Sequence, residues 1–131
     1  MLRRIDHTTI TVRDLDRSVR FYTELLGFVT DHTMWIPESN LRITFLRLGE
    51  TILELFGVGE LRGTMVSDVN EVVGYKHICL LADSVDDEVR RLTQAGVEFR
   101  IPPTTIQDSV RIAFFKDPDG LDIELIQYLR T

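Results

Sequence analysis

Residues 4–27 read RIDHTTITVRDLDRSVRFYTELLG, and residues 75–96 read YKHICLLADSVDDEVRRLTQAG. Laid over each other at an offset of 70, His7 falls on His77, Asp16 on Asp86, Val19 on Val89, Arg20 on Arg90 and Thr23 on Thr93. The match continues downstream, where Phe45 falls on Phe115, Glu54 on Glu124 and Leu55 on Leu125. In each half the His precedes the Glu by 47 residues (54 − 7 and 124 − 77). An internal repeat of this length changes the reading of every segment, so the chain is read as two copies of one unit.

Each copy has the same order of elements. The run at 4–12 is rich in Ile, Thr and Val and predicts a strand. Asp14 is placed to cap a helix whose apolar stripe is Leu15, Val19, Tyr22 and Leu26, and Gly27 is placed to end it. Strands are expected at 42–48 and 51–56, around a turn at Gly49. The second copy predicts a strand at 75–82, a helix capped by Ser84 with Val85, Val89 and Leu92 on its stripe, and an end at Gly96. Strands follow at about 97–101, 110–116 and 121–128, with Asp117-Pro118-Asp119-Gly120 as a tight turn. The fold class is therefore α+β, two βαβββ modules in tandem. The expected organisation is a single domain over 1–131: module 1 at about 1–56, a linker or mobile loop at 57–74, and module 2 at about 75–131.

Successive residues of a strand point to opposite faces. His7 then shares a face with Thr9 and Thr11, and opposes Ile10 and Val12. Glu54 is flanked by Leu53 and Leu55, His77 is followed by Ile78, and Glu124 is flanked by Ile123 and Leu125. Four strands thus have one apolar face and one face bearing a single ionisable group. A lone His on a strand is usually just hydrogen-bonded and a lone Glu is usually solvated; the repeated spacing sets this group apart. If the halves pair, the four groups line one concavity. Two carboxylates withdrawn from water need a counter-charge, and a divalent cation supplies it. Two imidazoles and two carboxylates suit Zn²⁺, Ni²⁺, Co²⁺, Fe²⁺ or Mn²⁺.

The 131 residues carry 15 basic and 21 acidic side chains, a net charge of −6. That balance argues against a general nucleic-acid or anionic-membrane binder, which needs a basic footprint. Cys79 is the single cysteine, so no intrachain disulfide forms. Its solitude fits a reducing compartment. The opening MLRRIDHTTITV is broken by charge and Thr, and reads neither as a signal peptide nor as a membrane span. A cytoplasmic location is expected.

IDHTTITVRDLDRSVRFYTELLGF near the start, LELF at 53–56, YKHICL at 75–80 and AFFKDPDGLDIELIQ at 113–127 together resemble the vicinal oxygen chelate superfamily. That superfamily includes glyoxalase I, methylmalonyl-CoA epimerase, extradiol dioxygenases and bleomycin- and fosfomycin-resistance proteins. The resemblance spans nearly the whole chain and implies sheets curling around a central metal-site cavity. It implies that His7, Glu54, His77 and Glu124 are the metal ligands, a set similar to bacterial glyoxalase I, with Ni²⁺, Co²⁺ or Zn²⁺ favoured over Fe²⁺ or Mn²⁺. It further implies a homodimer, with the site drawn from one chain or shared across two.

The activity so implied is a lyase that isomerises a 2-oxoaldehyde–thiol hemithioacetal to a 2-hydroxyacyl thioester through a metal-stabilised enediolate. Glu124 is the first candidate for the base and Glu54 the second, with His7 and His77 as ligands only. One scaffold hosts many chemistries. An acyl-CoA epimerase, a ring-cleaving dioxygenase and a non-catalytic binding or resistance protein are the alternatives. Bacterial glyoxalase I usually has Arg four residues after its first His and Asn four after its first Glu; here those positions hold Thr11 and Val58. The partner is a small molecule, with a thiol conjugate foremost and glutathione as the thiol left open.

Other features weigh less. Gly57, Gly59 and Gly63 do not match the dinucleotide fingerprint. No nucleophile-elbow motif supports Ser/His/Asp catalysis. Cys79 shares the His77 face and either lines the pocket or acts as a small hydrophobe. Phe56 and Ile126 share the faces of Glu54 and Glu124 and are candidate walls. His32 is expected on a loop or edge. Met34 and Trp35 read either as a wall, lid or subunit contact, or as core.

Overall fold

The computed structural model describes residues 1–130. Two capped helices set the direction of the chain in its two halves. The Asp14 carboxylate accepts from the Arg17 backbone N–H at 3.0 Å and starts α1, Leu15–Arg20. α1 widens into a π-helical turn at Phe21–Leu25 and stops at Gly27, whose φ of +84° a side chain would resist. The Ser84 hydroxyl accepts from the Asp87 N–H at 3.2 Å and starts α2, Val85–Gln94. α2 ends at Gly96, at φ +95°.

The chain forms two units, Met1–Gly63 and the residues from Thr64 onward. The first holds β1 (His7–Val12), β2 (Val29–Ile36), β3 (Leu41–Leu48) and β4 (Thr51–Val58), in the sheet order β1-β4-β3-β2. The second holds β5 (His77–Leu81), β6 (Phe99–Ile106), β7 (Val110–Lys116) and β8 (Asp122–Tyr128), in the order β5-β8-β7-β6. In each sheet the first pair, β1 with β4 and β5 with β8, is parallel, and the other pairs are antiparallel. Each unit is thus one βαβββ module.

Each sheet turns one face to its helix. Val12, Leu46, Leu53 and Leu55 are buried with Leu15 and Tyr22 of the helical segment. Ala113, Phe115, Ile123 and Leu125 are buried in the second unit, as are Val85 and Leu92 of α2. The close approach of α1 to its sheet depends on Gly57, where a Cβ would stand 3.1 Å from that of Leu15.

Several boundaries depart from the sequence expectations. β1 begins at His7 rather than residue 4, and β5 at His77 rather than 75, because the residues ahead of them have no ladder partner. β2 is a full strand with no alternation of burial to announce it, since seven of its eight residues are exposed at the sheet edge. β6 runs on from 101 to Ile106 through Pro102 and Pro103, which an edge strand tolerates. Both β2 and β6 carry a bulge at the same place, at Asp31 and at Arg100.

Residues 64–74 carry no helix or strand but are tied to the second unit. The Ser67 hydroxyl accepts from the Asp122 N–H at 2.9 Å and donates to the Gly120 carbonyl at 3.2 Å. The turn beyond β7 closes on Asp117, whose carboxylate accepts from the Asp119 and Leu121 N–H groups at 2.9 Å each.

Candidate metal half-sites

His7 is the first residue of β1, and Glu54 lies in the middle of β4. The parallel register sets Thr9 directly beside Glu54, so His7 reaches the carboxylate from two residues along the strand, on the same face. Its Nε2 lies 3.3 Å from Glu54 Oε1. The other ring nitrogen, Nδ1, lies 3.0 Å from the Asp6 carboxylate. That hydrogen bond, with the Glu54 charge adding to it, holds the His7 imidazolium above the ordinary histidine range. Thr9 donates its hydroxyl to Glu54 Oε1 at 2.5 Å. Leu53 and Leu55 turn into the core, so Glu54 is aimed at the other face and yet is only 7 % exposed.

The second unit repeats the arrangement. Cys79 stands beside Glu124 in the parallel register of β5 and β8. His77 Nε2 lies 3.0 Å from Glu124 Oε1. Partial loss of water around the sulfur, and then the Glu124 carboxylate beside it, push the Cys79 thiol up to about 12. Cys79 is solvent-exposed on the His77 face, which removes the reading of it as a small core hydrophobe.

An aromatic ring backs each pair. Phe45 is the register partner of Glu54, and its ring meets His7 edge-on at 6.1 Å. Phe114 is the register partner of Glu124 and meets His77 edge-on at 5.2 Å. This corrects the fixed-offset alignment, which sets Phe45 on Phe115. Phe115 is fully buried on the helix-facing side. The slip has a simple cause: Arg47 pairs with Ile52 across residues 48–51, whereas Lys116 pairs with Asp122 across 117–121, one residue more.

The next strand out adds side chains that the pattern of the sequence does not single out. His32, on edge strand β2, stacks on Phe45 at 4.2 Å with its Nδ1 2.6 Å from Asp31. Its counterpart row ends at Ile101, and beside it the Arg100 guanidinium lies over Phe114 at 5.2 Å. Arg100 is fixed by two bonds to the buried Asp122 carboxylate, at 3.2 and 2.5 Å. Only the cross-strand register exposes these relationships. Phe56 and Ile126 are half-buried. Met34 and Trp35 are exposed on β2, which removes the core reading for both.

The structure therefore brings His7 to Glu54 and His77 to Glu124. Among the described residues, neither unit by itself gathers three His, Cys, Asp or Glu side chains able to hold a metal. Nor does a lysine or arginine pair with Glu54 or Glu124 among the described residues; each carboxylate has a His Nε2 instead. Two neutral imidazoles and two anionic carboxylates carry the charge that one divalent cation neutralises, and their donor atoms suit Ni²⁺, Co²⁺ or Zn²⁺. The second bond of His7, to Asp6, is the orientation that metal-bound imidazoles use. The residues fit such a cation.

A family model described as the Glyoxalase/Bleomycin resistance protein/Dioxygenase superfamily matches residues 4–125. The lactoylglutathione lyase of Salmonella typhimurium is 33 % identical over 130 residues, covering 95 % of this chain and 92 % of that protein. The lactoylglutathione lyase of Schizosaccharomyces pombe is 30 % identical over 98 % of this chain, which spans about half (48 %) of that protein's length. The solved structure of the trypanothione-dependent glyoxalase I of Leishmania major is 31 % identical, with a TM-score of 0.77 over 96 % of this chain and 87 % of its own. No helix among the described residues is long and apolar enough to cross a membrane.

Proposed function

This chain belongs to the glyoxalase/bleomycin resistance/dioxygenase superfamily, and on that premise we propose that it is a metal-dependent lyase of the glyoxalase I type. The observation that carries the reading is the same His–Glu pair at the same place on two repeated sheets. In this reading His7, Glu54, His77 and Glu124 hold one divalent cation, Ni²⁺, Co²⁺ or Zn²⁺. The two pairs come together within one chain or across a homodimer, and the protein works in the cytoplasm. The substrate is the hemithioacetal of a 2-oxoaldehyde and a thiol, and the product is a 2-hydroxyacyl thioester.

When bound, the metal supplies Lewis acidity toward the substrate's two neighbouring oxygens. The chain's own residues do the rest. Asp6 fixes the His7 ring so that Nε2 faces Glu54. Phe45 and Phe114 back the two pairs with apolar surface, which keeps bulk water from one side of the reacting carbons. Glu124 takes the proton from the carbon bearing sulfur and returns it to the neighbouring carbon. The carbon–oxygen double bond moves to the carbon bearing sulfur and the hydroxyl proton passes to the other oxygen, so no atom is lost or gained. A positioned base of this kind contributes about 10²–10⁴-fold in rate.

The test is turnover of the methylglyoxal–glutathione hemithioacetal by protein loaded with Ni²⁺, Co²⁺ or Zn²⁺ in turn. Metal-dependent thioester formation, lost by about 10²-fold or more in Glu124→Gln with the metal retained, is the expected result. Full activity in Glu124→Gln would move the base to Glu54. No turnover with metal demonstrably bound would remove glutathione as the thiol. Thr11 and Val58 favour a test of other thiols next, as does a relative described as trypanothione-dependent.

A further inference from the structure

The two halves repeat one scaffold, yet they differ at the residue beside each carboxylate. We infer that Thr9 and Cys79 are positioning residues that give the two carboxylates unequal freedom: Thr9 pins Glu54, and Cys79 leaves Glu124 loose enough to accept the substrate proton. This rests on the reading of His7, Glu54, His77 and Glu124 as one metal set.

The register makes the comparison direct. Thr9 is the cross-strand partner of Glu54 and Cys79 that of Glu124, in parallel ladders built alike. The histidine contacts do not separate the carboxylates, at 3.3 Å for His7–Glu54 and 3.0 Å for His77–Glu124. The neighbours do. The Thr9 hydroxyl bonds Glu54 Oε1 at 2.5 Å. A hydroxyl donating to a carboxylate makes a charge-assisted bond, stronger than one between neutral groups. In the same place the second half has a thiol, a weak donor. A ligand carboxylate serves as a base only if it leaves its ligand position and returns. Glu54 would first have to break the Thr9 bond, whereas Glu124 has only a weak donor beside it. Burial runs the same way: the Glu54 side chain is 10 % exposed and that of Glu124 is 16 %. The two halves therefore differ at residues 9 and 79, beside the carboxylates, and not at the His and Glu residues themselves.

Two readouts test this. The first is Co²⁺ affinity of the metal-free protein, followed by the visible absorption of the bound ion, which needs no substrate. Thr9→Val should weaken Co²⁺ binding by about 10- to 100-fold, the usual effect of removing a group that orients a ligand, and Thr9→Ser should restore it. The second readout is hemithioacetal turnover. Cys79→Ser gives Glu124 a hydroxyl donor and should lower kcat about tenfold with KM kept and with Co²⁺ bound at least as tightly as by the parent. Parent-like Co²⁺ binding by Thr9→Val would overturn the inference, as would an unchanged or raised kcat in Cys79→Ser. Thr9 and Cys79 both lie on exposed face positions, so these variants test function in a folded chain. A parent protein that binds no Co²⁺ would instead overturn the metal reading itself. A parent that binds Co²⁺ without turnover would overturn the lyase reading and leave the role of Thr9 decided by affinity alone.

Discussion

Asp6 grips the Nδ1 edge of His7 at 3.0 Å while the opposite edge of the same ring faces Glu54. One imidazole is therefore held between two carboxylates, and its protonated form is favoured over that of an ordinary histidine. In the metal-free protein the His7 ring resonances should titrate above the usual 6.5, and Asp6→Asn should move that value down. A raised folded-state value means that the contribution to stability is full below about pH 6.5 and fades as pH rises through the folded value. Divalent metal affinity should run the other way, rising with pH as the ring proton leaves. Proton NMR of the ring and Co²⁺ titration at several pH values check both.

Cys79 is the single thiol of the chain, so its reactivity is read without ambiguity. Its pKa near 12 leaves almost no thiolate at pH 8. In metal-free protein it should react with a disulfide reagent far more slowly than a free cysteine does, despite its exposure. Glu124→Gln removes one of the two causes and should speed the reaction. Stopped-flow labelling of the parent and of Glu124→Gln measures this.

Asp122 is a carboxylate only 1 % exposed, and Arg100 is its bidentate partner. Arg100→Ala should destabilise the second unit by about 2 kcal/mol. That is less than a fully buried pair would lose, because the Arg100 side chain is 35 % exposed and Lys116 stands 3.6 Å from the same carboxylate. Replacing both partners with apolar residues, as in Arg100→Met with Asp122→Leu, should cost less than the single change. Urea unfolding of the three proteins decides it.

A metal held by the two His–Glu pairs binds the folded chain and not the unfolded one. Free Ni²⁺ at 100 times its dissociation constant should therefore add about 2.7 kcal/mol of stability. For a chain of this length that raises Tm on the order of 10 °C, and a chelator should reverse it. His77→Ala should abolish the shift, read as the difference in Tm with and without Ni²⁺ for the same variant.

The two His–Glu pairs are legible in the chain because their spacing repeats where surface residues drift. His7, Glu54, His77 and Glu124 keep one spacing, and the apolar neighbours of Glu54 and Glu124 state which way each points. The helices are legible from Asp14, Ser84, Gly27 and Gly96, because caps and stops are local chemistry. β2 is not legible, because an edge strand exposed on both sides has no period to read. Phe114, Arg100 and His32 are hidden for another reason: their place depends on cross-strand register, which hairpin length sets and composition does not. The tie from Ser67 to Asp122 joins residues 55 apart and leaves no local mark.

The extra residue between β7 and β8 has a practical consequence for anyone rebuilding this scaffold. Hairpin tips absorb a change of length that the ladders behind them never feel, so the two copies can differ in size while their paired rows stay superposable. A transplant of one half's surroundings into the other must therefore be numbered strand by strand. On β1, β4, β5 and β8 the translation is 70 residues, and on β3 and β7 it is 69. A chimera built on a single number would exchange Phe45 with the core ring Phe115 and unpack the second unit, whereas one built on the ladders would exchange it with Phe114 and keep both cores intact.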